Sequence, residues 1–329
     1  MQHHGVTIAG TGSYVPARVL TNHDLAKMVE TSDDWIRTRT GIEERHIAAA
    51  DEPTSALAYE AACRALDAAG MKAEELDYIL VATFTGDNIF PNTGCYLQKR
   101  LGAFNAAAVS IEAACTGFLY GLELAANLIR SGNYRNILLV GAEKISSLVD
   151  WTDRNTCVLF GDGAGAVVLK QTTPGHDCLK SVKLGADGRY TDLLRTAAGG
   201  SMKPLTVEDV ASHQNCIKME GREVFKLAVN AMVGSSRAVM EKAGITHDDI
   251  RWVIPHQANL RIISSVGKYL EVPEDKVYIN IQRYGNTSAA SIPIALDEIV
   301  RSGQVKRGEY LLLTAFGAGL TWGASVIKW

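Results

Sequence analysis

The chain repeats itself, and no other feature limits its possible folds so strongly. The run Ala69-Gly70-Met71 through Glu74-Glu75-Leu76-Asp77-Tyr78-Ile79-Leu80 aligns without a gap to Ala243-Gly244-Ile245 through Asp248-Asp249-Ile250-Arg251-Trp252-Val253-Ile254, an offset of 174 residues. Each copy reads as a helix end, a glycine cap, an acidic turn and a strand. A second pair, Ile129-Arg130-Ser131-Gly132 and Val300-Arg301-Ser302-Gly303, is offset by 171. Strand-like runs follow both, at 136–140 and 309–313. A nearly constant offset implies a unit of about half the 329 residues, built twice, and divides the chain into halves 1–170 and 171–329.

Within each half, strands and helices alternate. Tyr78-Ile79-Leu80-Val81, Ile137-Leu138-Leu139-Val140, Trp252-Val253-Ile254 and Tyr310-Leu311-Leu312-Leu313 are short apolar runs, with helix-like stretches at 54–69 and 225–243. The pattern predicts an α/β fold with buried sheets. Hydrophobic residues make up 47% of the chain, enough for a substantial core. A net charge of −3 gives no general attraction to nucleic acid or to an anionic membrane. The most apolar region, 106–129, is interrupted by Glu112 and Glu123 and reads as core, not as a membrane span. Met1-Gln2-His3-His4-Gly5 runs straight into a strand without a basic-then-apolar leader, and its two histidines read as a solvated terminus. Cys63, Cys95, Cys115, Cys157, Cys178 and Cys216 form no CxxC pair. Reduced thiols in a cytoplasmic protein are expected, with no disulfide framework and no metal site.

The offsets also place residues with chemistry opposite one another. Carried back along the helix before Ser131, the offset of 171 sets Cys115 against Asn286, and the offset of 174 sets His256 against Ala82, just past a strand end. Ligands of open α/β sheets gather outside the carboxyl ends of strands. Cys115 lies between a strand-like run and a long amphipathic helix, where the helix dipole favours thiolate and lowers the thiol pKa. A buried structural cysteine is the competing reading. His256, in Pro255-His256-Gln257-Ala258-Asn259, is placed to donate to a thioester carbonyl or to exchange a proton. Asn286, in Gly285-Asn286-Thr287-Ser288-Ala289-Ala290-Ser291, is either an N-cap or a neutral donor to an enolate oxygen. The amides of Cys115 and of Gly319, in Gly317-Ala318-Gly319-Leu320, suit an oxyanion hole. Gly161-Asp162-Gly163-Ala164-Gly165-Ala166 lacks the Lys-Ser/Thr of a phosphate loop and reads as a tight turn between strands.

Taken in order, these motifs resemble the β-ketoacyl-(acyl carrier protein) synthase III family of the thiolase superfamily. Further marks are Thr31-Ser32-Asp33-Asp34-Trp35-Ile36-Arg37-Thr38-Arg39-Thr40-Gly41-Ile42, Glu44-Arg45-His46 and Thr321-Trp322-Gly323. The resemblance spans essentially the whole chain. It implies a duplicated thiolase-like fold with layers αβαβα, and an acyl-enzyme on Cys115 that condenses with malonyl-acyl carrier protein. His256 and Asn286 would then stabilise the enolate. It further implies that Trp35 and Arg154 sandwich the adenine of acyl-CoA, with Thr31, Arg39 and Asn259 along the same path. Lys226, Arg261 and Lys268 would form a landing patch for the carrier protein, and Phe90 and Phe160 would border the acyl pocket. Phe90 would reach across a homodimer. Acyl-CoA is a substrate in this reading, and no cofactor is held permanently. The other readings are a Cys-His-Asn hydrolase, a hydroxymethylglutaryl-CoA synthase or a ketosynthase of specialised metabolism, and a non-catalytic acyl-binding protein.

Overall fold

The computed structural model describes residues 4–329, so His3 of the terminal pair lies outside the described residues. Two sheets form the frame. The first contains β1 (Gly5–Tyr14), β2 (Tyr78–Ala82), β3 (Ala107–Ile111), β4 (Asn136–Glu143) and β5 (Gly163–Thr172) in the order β1-β5-β4-β2-β3. The second contains β6 (Leu179–Ala186), β7 (Ile250–Pro255), β8 (Tyr310–Gly317) and β9 (Thr321–Lys328) in the order β6-β9-β8-β7. Read from β1 and from β6, both sheets run antiparallel, antiparallel, parallel. The fifth strand of the second sheet is reduced to a parallel bridge between Val253 and Val277.

The main helices are α1 (Asp33–Thr40), α2 (Thr54–Ala69), α3 (Thr93–Leu101), α4 (Gly117–Arg130), α5 (Gly221–Ala243), α6 (Leu260–Tyr269) and α7 (Ser291–Arg301). Helices α2 and α3 cover the outer face of the first sheet, and α5, with α6 packed on it, covers the second. Helices α4 and α7 lie between the sheets and touch strands of both, which completes five layers. The duplicated α/β architecture expected from the sequence is therefore present.

Local sequence accounts for the elements. Helix α2 starts after Pro53, ends at Gly70 in the left-handed conformation (φ 61), and buries Leu57, Ala58, Ala61, Ala62, Ala65 and Leu66. Its alanines permit a close approach to β1. A β-carbon at Gly10 or Gly12 would lie 2.3 Å from the carbonyl oxygens of Ala65 or Ala61. Ile137, Leu138, Leu139 and Val140 are fully buried, as a strand covered on both faces requires, and each such side chain contributes about 1.5–3 kcal/mol.

The repeat does not pair Cys115 with Asn286. The offset of 174 holds from β2/β7 through the turns that open α4 and α7, because Ala114–Thr116 and Ser288–Ala290 are matching single 3₁₀ turns. Their first residues share a left-handed backbone, Ala114 at φ 45 and Ser288 at φ 50. Helix α4 has 14 residues and α7 has 11, so the offset falls to 171 only at the helix ends. The longer loop after α7 restores 174 at β4/β8. Cys115 therefore corresponds to Ala289, not to Asn286.

Candidate active site

The strand ends of both halves meet around one cavity. Cys115, His256 and Asn286 all line it, together with Phe160, Phe316 and Gly317, and its volume is about 250 Å³. A second cavity of about 380 Å³ also opens on Cys115, and Phe84, Leu148, Phe160, Leu194, Ile217 and Gly319 line it. Phe160 and Gly319 are thus brought to the thiol.

Each of the three central residues is held by a different device. Cys115 sits in the 3₁₀ turn that leads into α4. The neighbouring hydroxyl of Thr116 lies 2.8 Å from that of Thr321, which ties the turn to the β8–β9 hairpin of the other half. His256 extends β7 by one residue, its amide donating to Thr314 O at 2.8 Å. Its Nδ1 lies 2.7 Å from Ser291 Oγ, at the start of α7. Asn286 pairs through its backbone with the opposite half: its amide donates to Leu159 O at 2.8 Å, and Gly161 N donates to its carbonyl at 3.1 Å. Its side-chain Oδ1 accepts from Ser288 N at 2.9 Å, which leaves the NH₂ group as a donor. Asn286 is not the N-cap, since Thr287 caps the 3₁₀ turn and Ala290 caps α7; its oxygen closes a local turn on Ser288 N, and the NH₂ group stays available as a donor.

Electrostatics departs from the sequence expectation at Cys115. Burial pushes this thiol up to about 12, against a lowering contribution from Ser288, and Glu143 pushes in the same direction as burial. Desolvation outweighs the hydrogen bonds that favour the thiolate, so the resting sulfur is a neutral thiol. Burial also pushes His256 down to about 3, leaving it a neutral imidazole. The resting pair carries no charge.

The remaining candidates divide by position. Trp35, Arg39 and Asn259 line the exposed side of the first cavity. The Arg39 guanidinium stands 4.5 Å and that of Arg154 5.3 Å from the Trp35 ring centroid, so both cations already pack on the indole. Arg154 also donates to Glu30 O at 2.9 Å. Thr31 Oγ1 is enclosed and has no hydrogen-bond partner among the described residues. Asn259 caps α6 through Arg261 N (2.9 Å) and donates to Arg39 O (3.1 Å), linking α6 to α1. Arg261 and Lys268 both lie exposed on α6. Lys226 lies exposed on α5 and pairs with Glu223 at 3.1 Å. Phe90 is not brought to either cavity within this chain; its ring is 84% exposed.

The Gly161–Ala166 segment is not a tight turn between strands. Gly161 packs beneath Tyr284 O, where a β-carbon would stand 2.3 Å away. Asp162 is buried and accepts from Ala48 N, Ser146 N and Ser146 Oγ. The segment carries Phe160 and pairs with Asn286, so it builds the site.

Sequence reasoning missed four contributors. Ser291 and Gly317 lay in quoted motifs but had no separate task. Gln257 fastens the loop that leads to Asn286, donating to Pro255 O (2.8 Å) and Tyr278 O (3.1 Å) and accepting from Asn280 N (3.0 Å). Glu143 carries a fully buried carboxyl group that accepts from Thr83 Oγ1, Thr85 Oγ1 and the amides of Phe84 and Thr85. A charged residue ending an otherwise apolar strand was the available signal.

Two halves of one topology, with their central helices sandwiched between the sheets and a thiol heading one helix, define a thiolase-type condensing enzyme. Comparison with known proteins narrows the class. The family model described as 3-oxoacyl-[acyl-carrier-protein] synthase III matches residues 109–188, and that of its C-terminal part matches residues 240–329. The chain is 54% identical over 322 residues to the beta-ketoacyl-[acyl-carrier-protein] synthase III of Caldanaerobacter subterraneus subsp. tengcongensis, covering 98% of this chain and 97% of that one. It is also 54% identical over 325 residues to the same enzyme of Geobacillus kaustophilus, covering 99% of each. The crystal structure of 3-oxoacyl-[acyl-carrier-protein] synthase III from Aquifex aeolicus matches with a TM-score of 0.91 at 48% identity, over 99% of this chain and 100% of that one. The chain belongs to the 3-oxoacyl-[acyl-carrier-protein] synthase III family.

Proposed function

We propose that this protein initiates fatty acid synthesis by condensing a short acyl-CoA with malonyl-acyl carrier protein, through an acyl-Cys115 intermediate. The observation that carries this reading is the cavity shared by Cys115, His256 and Asn286 at the junction of the two halves. In the first step the Cys115 sulfur bonds to the acyl carbon, the bond from that carbon to the CoA sulfur breaks, and the thiol proton ends on CoA. The Cys115 and Gly319 amides hold the oxyanion, each such donor being worth about 3–4 kcal/mol. In the second step malonyl loses CO₂, and the electron pair moves onto the thioester as an enolate. His256 and the Asn286 NH₂ group donate to its oxygen. The enolate carbon attacks the acyl carbon, the bond to Cys115 breaks, and the released thiolate takes a proton from solvent. The product is 3-ketoacyl-acyl carrier protein.

Acyl-CoA enters past Trp35, Arg39 and Asn259 in this reading, and its adenine inserts beside the indole by displacing a guanidinium from the ring. Thr31 and Arg154 flank that path. Lys226, Arg261 and Lys268 supply positive charge for an acidic carrier protein. Exposed Phe90 and the unpaired outer edge of β3 support a homodimer in which Phe90 closes the partner's acyl pocket. The halves 1–170 and 171–329 then contribute the nucleophile and the enolate donors respectively. We place the enzyme in the cytoplasm; no helix among the described residues is long and apolar enough to cross a membrane.

Labelled acetyl-CoA incubated with malonyl-acyl carrier protein tests the reaction. Label in a 3-ketoacyl product, dependent on Cys115, is the expected outcome. Free labelled acetate without condensation would support the hydrolase instead.

A further inference from the structure

The hydroxyl of Ser291 is 2% exposed and lies 2.7 Å from His256 Nδ1. Its oxygen also receives the Gln257 amide N–H at 3.4 Å. Among the described residues the hydroxyl has no other hydrogen-bond partner, so its own proton has only Nδ1 to go to. Were Nδ1 protonated instead, two donors would face one oxygen and a buried hydroxyl proton would have no acceptor. We propose that Ser291 is a positioning residue that fixes His256 as the tautomer protonated at Nε2, making the imidazole a hydrogen-bond donor to the substrate oxygen and not a base toward Cys115.

This assignment rests on the reading of His256 as an enolate donor, but it has a signature of its own. The geometry reproduces the logic of other catalytic histidines, in which the partner of one ring nitrogen decides what the other can do. The low affinity of the buried ring for a second proton agrees with a neutral donor role. No proton is transferred to or from His256 at any point: the Cys115 proton leaves on CoA, and Nε2–H only donates. Ser291 never touches substrate. Its position is fixed because it is the first residue of α7, so the helix that matches α4, which follows the Cys115 turn in the other half, carries the group that orients the imidazole.

Nitrogen-15 NMR of histidine-labelled enzyme, with the His256 signals assigned by their loss in His256→Ala, reads the tautomer directly. The wild-type protein should show Nδ1 unprotonated and Nε2 protonated. Protonated Nδ1 would overturn the proposal, whatever the activity. Kinetics supplies the second arm. Ser291→Ala should leave acyl transfer from acetyl-CoA to the enzyme within about twofold while lowering malonyl decarboxylation at least about tenfold, and Ser291→Thr should recover most of that loss. Equal loss of both steps in Ser291→Ala, or no recovery in Ser291→Thr, would make the residue merely structural. If Ser291→Ala fails to fold, the wild-type spectrum still decides. A protein that shows the expected spectrum but never condenses would refute the proposed function and leave the tautomer assignment standing.

Discussion

Gly317 approaches Cys115 so closely that a β-carbon on the glycine would stand 2.8 Å from the Cys115 amide nitrogen and 3.1 Å from its Cβ. The end of β8 is thus pressed against the Cys115 turn from the other half. At the equivalent end of β4, offset by 174, stands Glu143, with a buried carboxyl group. The repeat places a large polar side chain at the end of β4 and none at the end of β8, where Cys115 occupies the space.

Gly317→Ala should therefore displace Cys115. We expect acyl transfer to fall at least about tenfold and stability to drop by about 1–3 kcal/mol, the usual cost of overpacking. Gly234→Ala is the control, because a β-carbon there meets nothing within 4 Å inside helix α5. It should be neutral or stabilising by up to about 1 kcal/mol with unchanged activity. Enzyme labelling by radioactive acetyl-CoA and thermal melts measure both.

Cys115 should react slowly at rest. Its thiol is pushed up to about 12 by burial, so alkylation by iodoacetamide, taken as the difference from a Cys115→Ser protein, should still be rising with pH beyond the ordinary thiol value of about 8.5. A plateau reached below that value would mean that the helix terminus prevails over desolvation.

His256→Ala and Asn286→Ala should each spare formation of the acyl-enzyme and lower malonyl decarboxylation by about 10²–10³, as expected for removal of one donor to a developing oxyanion. Carbon dioxide release and enzyme labelling, measured separately, test the division; parallel loss of both would contradict it. Cys115→Ala should abolish labelling.

Trp35→Ala should raise KM for acyl-CoA with little change in kcat. A stacked base is worth about 1–3 kcal/mol, which corresponds to roughly a five- to 150-fold increase. An unchanged KM would remove Trp35 from the nucleotide site.

Glu143 makes stability depend on pH in a defined direction. Burial outweighs the four hydrogen bonds donated to it and raises its folded pKa to about 8. A raised carboxylate stabilises the fold fully below its unfolded pKa of about 4.3, and that contribution is lost as pH rises through about 8. Urea midpoints of the wild type relative to Glu143→Gln should therefore fall between about pH 5 and pH 8. A difference that stays flat across that window would show the carboxylate to be ionised throughout.

Much of the molecule is written locally. The helix Thr54–Ala69 has both its ends in the sequence, and the apolar runs at 78–81, 137–140, 252–254 and 310–313 each lie inside an observed strand. The order of motifs around Cys115, His256 and Asn286 was legible because each sits at an element boundary, where turn chemistry restricts the residue types. The duplication was also visible, since matched caps and strands recur at a nearly fixed distance.

What the sequence left open depends on neighbours far along the chain. The partner of Cys115 in the repeat was misread because α7 is three residues shorter than α4 and the following loop restores the register; only the paired strands reveal that compensation. The thiol's pKa reads from its helix as a local field, whereas its direction is set by desolvation where both halves close around it. Ser291 acquires its role from His256, 35 residues away, and Gly317 from Cys115 across the two halves. Backbone propensity and capping act over a few residues and so can be read from a string. Burial, tautomer and steric exclusion depend on which surfaces meet, and only the packed tertiary structure decides that.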